Sequence, residues 1–131
     1  MPLQISRTTG ETLYPDPFIQ AGHTTSVIVD VSALSTTFVD SNGFLKPGTI
    51  LKADGTLITG ASQTALGMVR FPVKVAAGND STSLNAATEI PVEVTTSGII
   101  NQTLVADLLG RVISANELAA LVAAGSNITV R

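Results

Sequence analysis

Between residues 25 and 95 the chain breaks into short β-branched runs, each closed by a cluster of Gly, Pro, Asn or Asp, and few folds accept that pattern. Ser26-Val27-Ile28-Val29-Asp30-Val31 and Thr36-Thr37-Phe38-Val39 are rich in side chains that suit a pleated, half-buried surface. Asp40-Ser41-Asn42-Gly43 reads as a turn, because Asn and Gly accept positive φ. Pro47-Gly48 fits the two central positions of a type II turn. Asp54-Gly55, set between Thr49-Ile50-Leu51-Lys52 and Thr56-Leu57-Ile58-Thr59, predicts a hairpin with a type I′ turn. After a loop at Gly60-Ala61-Ser62-Gln63, residues 65–75 form a long apolar strand region. Pro72 marks an edge, bulge or break there, since it cannot donate to a ladder. Gly78-Asn79-Asp80-Ser81-Thr82-Ser83 reads as a turn-rich loop, Glu89–Thr95 as a further strand containing Pro91, and Ser97-Gly98 as another turn.

Helical spacing appears only toward the C-terminus. Leu104, Val105, Leu108 and Leu109 recur as one apolar stripe, and Gly110 can end the helix in a left-handed conformation. Ser114-Ala115-Asn116-Glu117 matches a capping box, with serine and glutamate exchanging bonds with each other's backbone N–H. Leu118, Leu121 and Val122 give the second helix an apolar stripe that is expected to pack on the sheet, and Gly125 is expected to end it. Asn127-Ile128-Thr129-Val130 reads as a last strand. The expected class is α+β, mainly β: a compact β-rich domain with two short C-terminal helices and an extended N-terminal arm.

The arm is residues 1–24 and the β-rich domain residues 25–131. Gly10, Pro15, Pro17 and Gly22 punctuate the arm, and each Pro disfavours helix locally. Leu13, Tyr14, Phe18 and Ile19 give it a short apolar group, the shape of a tail that anchors on a neighbouring protein.

A chain of 131 residues with no cysteine can bury enough surface to fold without metal or disulfide. Charged residues make up 13% of it, about half the usual share, so much of the surface is expected to lie against a partner. The seven cations, Arg7, Lys46, Lys52, Arg70, Lys74, Arg111 and Arg131, are scattered, whereas neutralising phosphates needs them clustered. Neither nucleic acid nor an anionic membrane surface is an expected partner. The apolar stretches fall far short of the roughly 20 residues of a spanning helix, and the start of the chain has no apolar core of signal-peptide length.

Reactive side chains are sparse. His23 is the one histidine; it has no cysteine or second histidine for a metal pair, and no Gly-x-Ser-x-Gly elbow is present. Glu89 and Glu93 lie four apart and so face one side of a strand. They could form an acid/base pair, but the solvated face of an edge strand accounts for them. The Walker phosphate loop, the dinucleotide fingerprint and the carboxylate spacing of a calcium loop are all missing. No enzymatic activity, cofactor, metal or small-molecule substrate is expected.

The order of features resembles the lambda-type head decoration, or capsid-stabilising, proteins of tailed phages. Pro47-Gly48-Thr49-Ile50-Leu51, the Asp54-Gly55 turn and Thr64-Ala65-Leu66-Gly67-Met68-Val69 carry the resemblance. So do Ile90-Pro91-Val92-Glu93-Val94 ahead of Ser97-Gly98, and the closing Ala123-Ala124-Gly125-Ser126-Asn127-Ile128-Thr129-Val130. The match spans residues 45–131. It implies a structural virion protein, made in the host cytoplasm, that joins the outer surface of the expanded head as a homotrimer and stabilises contacts between capsomers. The partner implied is the major capsid protein, contacted by an extended N-terminal arm; in this chain the arm lies outside the match, and Leu13, Tyr14, Phe18 and Ile19 are the residues its own composition offers as the anchor. Three alternatives stand beside it: another virion part, such as a tail or baseplate protein or a pilus-like subunit; a β-sandwich carbohydrate-binding module; and a small hydrolase. An aromatic content of 4% counts against sugar platforms.

Overall fold

A computed structural model describes residues 16–31, 34, 36–60, 62–75 and 89–131. Leu13, Tyr14 and the loop expected at Gly78–Ser83 lie outside the described residues. The described chain is β-rich, with nine strands in sheets and two short helices near the C-terminus, as the sequence predicts.

Two segments distant in sequence form the frame. Strands β1 (Phe18–Ala21) and β2 (Thr24–Asp30) run antiparallel to β8 (Ser97–Ile100) and β7 (Glu89–Thr95) respectively. The register continues across the gap, because Ala21 faces Gly98 and Thr24 faces Thr95, three residues on in each strand. Ladder bonds persist there too: Gly22 N–H donates to the Ser97 carbonyl at 2.8 Å, and Thr96 N–H to the His23 carbonyl at 2.7 Å. One long ribbon therefore kinks at Gly22-His23 and Thr96 and feeds two sheets. The first sheet has the order β1-β8-β9, with β9 at Asn127–Val130. The second has the order β2-β7-β5-β4, with β4 at Ile50–Leu51 and β5 at Gly67–Met68. A two-stranded ribbon pairs β3 (Phe44–Leu45) with β6 (Val73–Lys74).

Residues 18–24, read from the sequence as part of an arm, thus belong to the folded body. Asp16 ties down their start. Its carboxylate accepts from the Phe18 N–H at 2.9 Å and from Arg70 at 2.6 Å. The Arg70–Asp16 pair is about a third exposed on each side, so it positions the chain more than it stabilises it.

Two apolar clusters fill the interior. Val27, Val29, Val92, Val94, Leu45, Leu51 and Val69 belong to one. Phe18, Ile50, Met68, Ile100, Ile128, Leu109 and Leu121 belong to the other. Strands β4 and β5 lie between them: Ile50 and Met68 serve one cluster, while their neighbours Leu51 and Val69 serve the other. A strand buried on both faces reads as a continuous apolar run, which is why residues 49–51 and 65–69 show no polar alternation. The run expected to extend from 65 to 75 is broken in two, into β5 and β6, with Pro72 in the gap. At β5, Gly67 approaches β7 so closely that a Cβ would sit 2.5 Å from the Thr95 carbonyl oxygen.

Ser97-Gly98, expected as a turn, instead opens strand β8, and Thr36–Phe38, expected as an extended run, forms a short 3-10 helix. The other turns follow their residues with one change. Gly48 has φ 95°, and Thr49 N–H reaches the Lys46 carbonyl at 3.3 Å, closing the Lys46-Pro47-Gly48-Thr49 turn. The Asp54-Gly55 turn is a three-residue loop rather than the two-residue type I′ form. Gly55 N–H donates to the Lys52 carbonyl and Lys52 N–H to the Thr56 carbonyl, both at 2.9 Å. The Asp54 side chain selects this form by accepting from the Thr56 backbone N–H at 3.1 Å and from its hydroxyl. Those bonds, the hydroxyl first, hold the Asp54 carboxyl below its ordinary pKa.

Helices α1 (Gln102–Leu109) and α2 (Ala115–Val122) form the crossover that parallel pairing of β8 with β9 requires. Asn101 caps α1 by accepting from Leu104 N–H at 3.1 Å, and Gly110 ends it at φ 76°. Lys46 Nζ donates to the Leu109 carbonyl at 3.1 Å, a cation at the negative end of the helix. The Ser114–Glu117 capping box is formed at the start of α2. Leu121 faces the core as expected, with Ala120 beside it and Leu118 half-buried against the same cluster; two details of α2 differ, since Val122 is exposed and the helix ends on extended Ala123 ahead of Gly125. Ser114→Ala is expected to cost about 0.5–2 kcal/mol, read as a lower denaturation midpoint; an unchanged midpoint would remove the cap from the account.

Candidate functional site

The residues expected to dock on a neighbour separate in space. Phe18 is 6% exposed and packs inside the chain's own second cluster, so it is an internal anchor and not a free one. Ile19, next to it, is 57% exposed. The cause is strand geometry: successive side chains point to opposite faces. Leu13 and Tyr14 lie outside the described residues.

The titratable side chains do not converge. His23 is exposed at the kink between β1 and β2, and only its backbone is engaged there, with Ser97 Oγ at 2.9 Å and with Thr96. His23→Ala is expected to change stability by less than about 0.5 kcal/mol. A large loss in a thermal melt would show that the imidazole holds the kink. Glu89 and Glu93 are both exposed on β7, as a solvated face requires. The strand is interior in the sheet order rather than an edge, although β5 meets it only at Thr95. Among the described residues no group of three or more His, Cys, Asp or Glu side chains is placed to hold a metal ion.

The most connected polar cluster joins the loop before α2 to that helix. Arg111 donates twice to the Glu117 carboxylate, at 2.8 Å each, and its guanidinium lies 4.8 Å from the Phe38 ring centre. Glu117 is 4% exposed and also accepts from Ser114 N–H at 3.0 Å. Burial pushes its pKa up, but the Arg111 bonds and the Ser114 N–H outweigh that and hold it below the ordinary value. The same bonds raise the Arg111 pKa. The Arg111 guanidinium and the Ser114 N–H are both turned onto the Glu117 carboxylate, so the cluster is a structural clasp. Sequence reading found the cap but missed Arg111, because a six-residue separation carries no helical or strand signature.

A recess of about 280 Å3 opens between the end of β2 and the 52–56 turn, lined by Asp30, Leu34, Lys52, Gly55, Leu57 and Thr59. Its walls mix apolar and oppositely charged groups without a convergent set of donors. The other surface feature is apolar: Ile19, Ile28, Phe71, Val112 and Val122 are each more than half exposed. Single exposed apolar residues are ordinary. Here they accompany a surface with little charge, and Ile28 pairs across the ribbon with the exposed Pro91. Comparison with protein-family models, with curated proteins and with solved structures found no match for this chain.

Proposed function

We propose that this chain is a structural virion protein that binds the outer surface of an expanded phage head and stabilises contacts between capsomers. The observation that carries the reading is the combination of a packed β-rich body with exposed apolar side chains in a chain of which only 13% of residues are charged. A body of this kind gains by being covered, and a shell lattice offers the covering surface. The decoration-protein resemblance of residues 45–131 supports the same reading. In it the major capsid protein is the partner, the chain acts as a homotrimer, and no cofactor or substrate is used.

The test is co-sedimentation with expanded and unexpanded heads assembled from the major capsid protein encoded alongside this chain, with mass measured in solution. Saturable binding to expanded heads only, in multiples of three copies, is the expected result. A ring of six that ignores both kinds of head would indicate a tail component.

A further inference from the structure

Among the described residues, the kinked ribbon leaves an unpaired edge. Strand β1 is the outer strand of one sheet and β2 of the other, and the two are joined by only Gly22 and His23. Backbone groups of a strand point alternately to its two sides. Gly22 N–H and the His23 carbonyl both point inward, to Ser97 and Thr96. The N–H and carbonyl groups of Ala21, Thr24, Ser26 and Ile28 therefore point outward. At Ile28 the 52–56 turn covers the edge: a Cβ on Gly55 would collide with the Ile28 carbonyl oxygen. No described residue bonds to the outward backbone groups of Ala21, Thr24 or Ser26.

The 52–56 turn guards this edge at Ile28 and a register shift interrupts it near Phe18, but between Ala21 and Ser26 no charge or proline protects it. Residues 18–29 include no Lys, Arg, Asp, Glu or Pro, and the edge ends beside exposed Ile19 at one side and exposed Ile28 at the other. An uncharged edge of this length templates strand pairing unless something covers it.

We infer that the edge from Ala21 to Ser26 takes an extended segment of the shell protein as an added strand, a proposal that rests on the decoration reading above. A second copy of this chain fits the edge poorly. Both copies carry the same fixed kink, so two-fold pairing engages β1 or β2 but not both. Pairing limited to one of these edges leaves the outward groups of the other unsatisfied. A flexible extended segment follows the kink and satisfies both halves. Its chemistry is also set. Strands β2 and β7 carry Asp30, Glu89 and Glu93 and no Lys or Arg. Ser26 faces Glu93 across the ribbon, so a Lys or Arg lying beside the small Ser26 side chain can reach over it to the carboxylate. An apolar residue next along the segment packs on Ile28 and Pro91. Main-chain bonds supply affinity, and these two positions supply selectivity.

Ala21→Pro and Ser26→Pro each delete one outward N–H that the body does not use, at edge positions where proline is tolerated. Ser26→Ala keeps the N–H and is the control. Each Pro variant is expected to bind expanded heads about tenfold more weakly than wild type, while Ser26→Ala binds as wild type does. Amide hydrogen exchange is the second measurement: Ala21, Thr24 and Ser26 should exchange freely in the free protein and slow on heads, including in wild type, where no variant can misfold. Wild-type binding with unchanged Pro variants and unprotected amides overturns the edge proposal and leaves the decoration reading standing. Failure of wild type to bind any head overturns both. A free dimer in which these amides are already protected assigns the edge to a second copy and overturns the proposal.

Discussion

Phe18→Ala is expected to destabilise the folded body by about 3–5 kcal/mol, the usual cost of deleting a buried aromatic side chain. Phe18 is 6% exposed, pairs with Ile100 through β1, and packs with Met68, Ile100 and Ile128 in the second cluster. Its loss leaves a cavity between the first sheet and the helices, and that site cannot collapse because Ile100 and Met68 are held by their own ladders. A chemical-denaturation midpoint measures the effect. The result also separates two roles for the segment. If Phe18 served only to anchor a neighbour, the isolated protein would melt as wild type does and only head binding would suffer. Removing residues 1–20 is expected to unfold the body for the same reason, since it deletes most of β1, whereas removing residues 1–14 spares Asp16 and every described strand.

Arg111→Ala is expected to cost about 3–5 kcal/mol, because it leaves the Glu117 carboxylate buried without its partner. On a domain of this size that amounts to a thermal midpoint lower by on the order of 10–20 °C. The variant also changes the pH dependence. In the wild type the folded pKa of Glu117 is depressed, so the carboxylate contributes stability above its unfolded pKa, and that contribution is lost as pH falls through the folded value. Without Arg111 the burial that raises the pKa is opposed only by the Ser114 bonds, and the variant's deficit should shrink toward acid pH as Glu117 protonates. Stability curves at several pH values check this. A deficit that stays constant down to acid pH would mean that the lost contact with Phe38 matters and the carboxylate does not.

Much of this fold was legible in local sequence. The helices around 102–109 and 115–122, the Ser114 capping box and the Pro47-Gly48 turn all depend on interactions within about four residues, so their signals sit side by side in the chain. The positive-φ glycines Gly43, Gly48, Gly55 and Gly110 stand where the turn and cap patterns place them.

What the sequence by itself determined was the class, α+β and mainly β, the position of most elements and the scatter of charge. Tertiary structure alone decided where the first strand begins. Phe18-Ile19-Gln20-Ala21, set among Pro and Gly, has the local character of an arm and becomes a strand only because Ser97–Ile100 lies beside it, more than seventy residues away. It decided the division of the core as well: Ile50 and Leu51 are alike in sequence, and only the two sheets meeting at β4 send them into different clusters. Pairing of Arg111 with Glu117, and the open edge at Ala21, Thr24 and Ser26, were equally invisible. The physical reason is common to all four. Periodicity reports which way a side chain points along its own strand or helix, but which partner it meets is settled when distant segments are brought together and their backbone groups are paired or left unpaired.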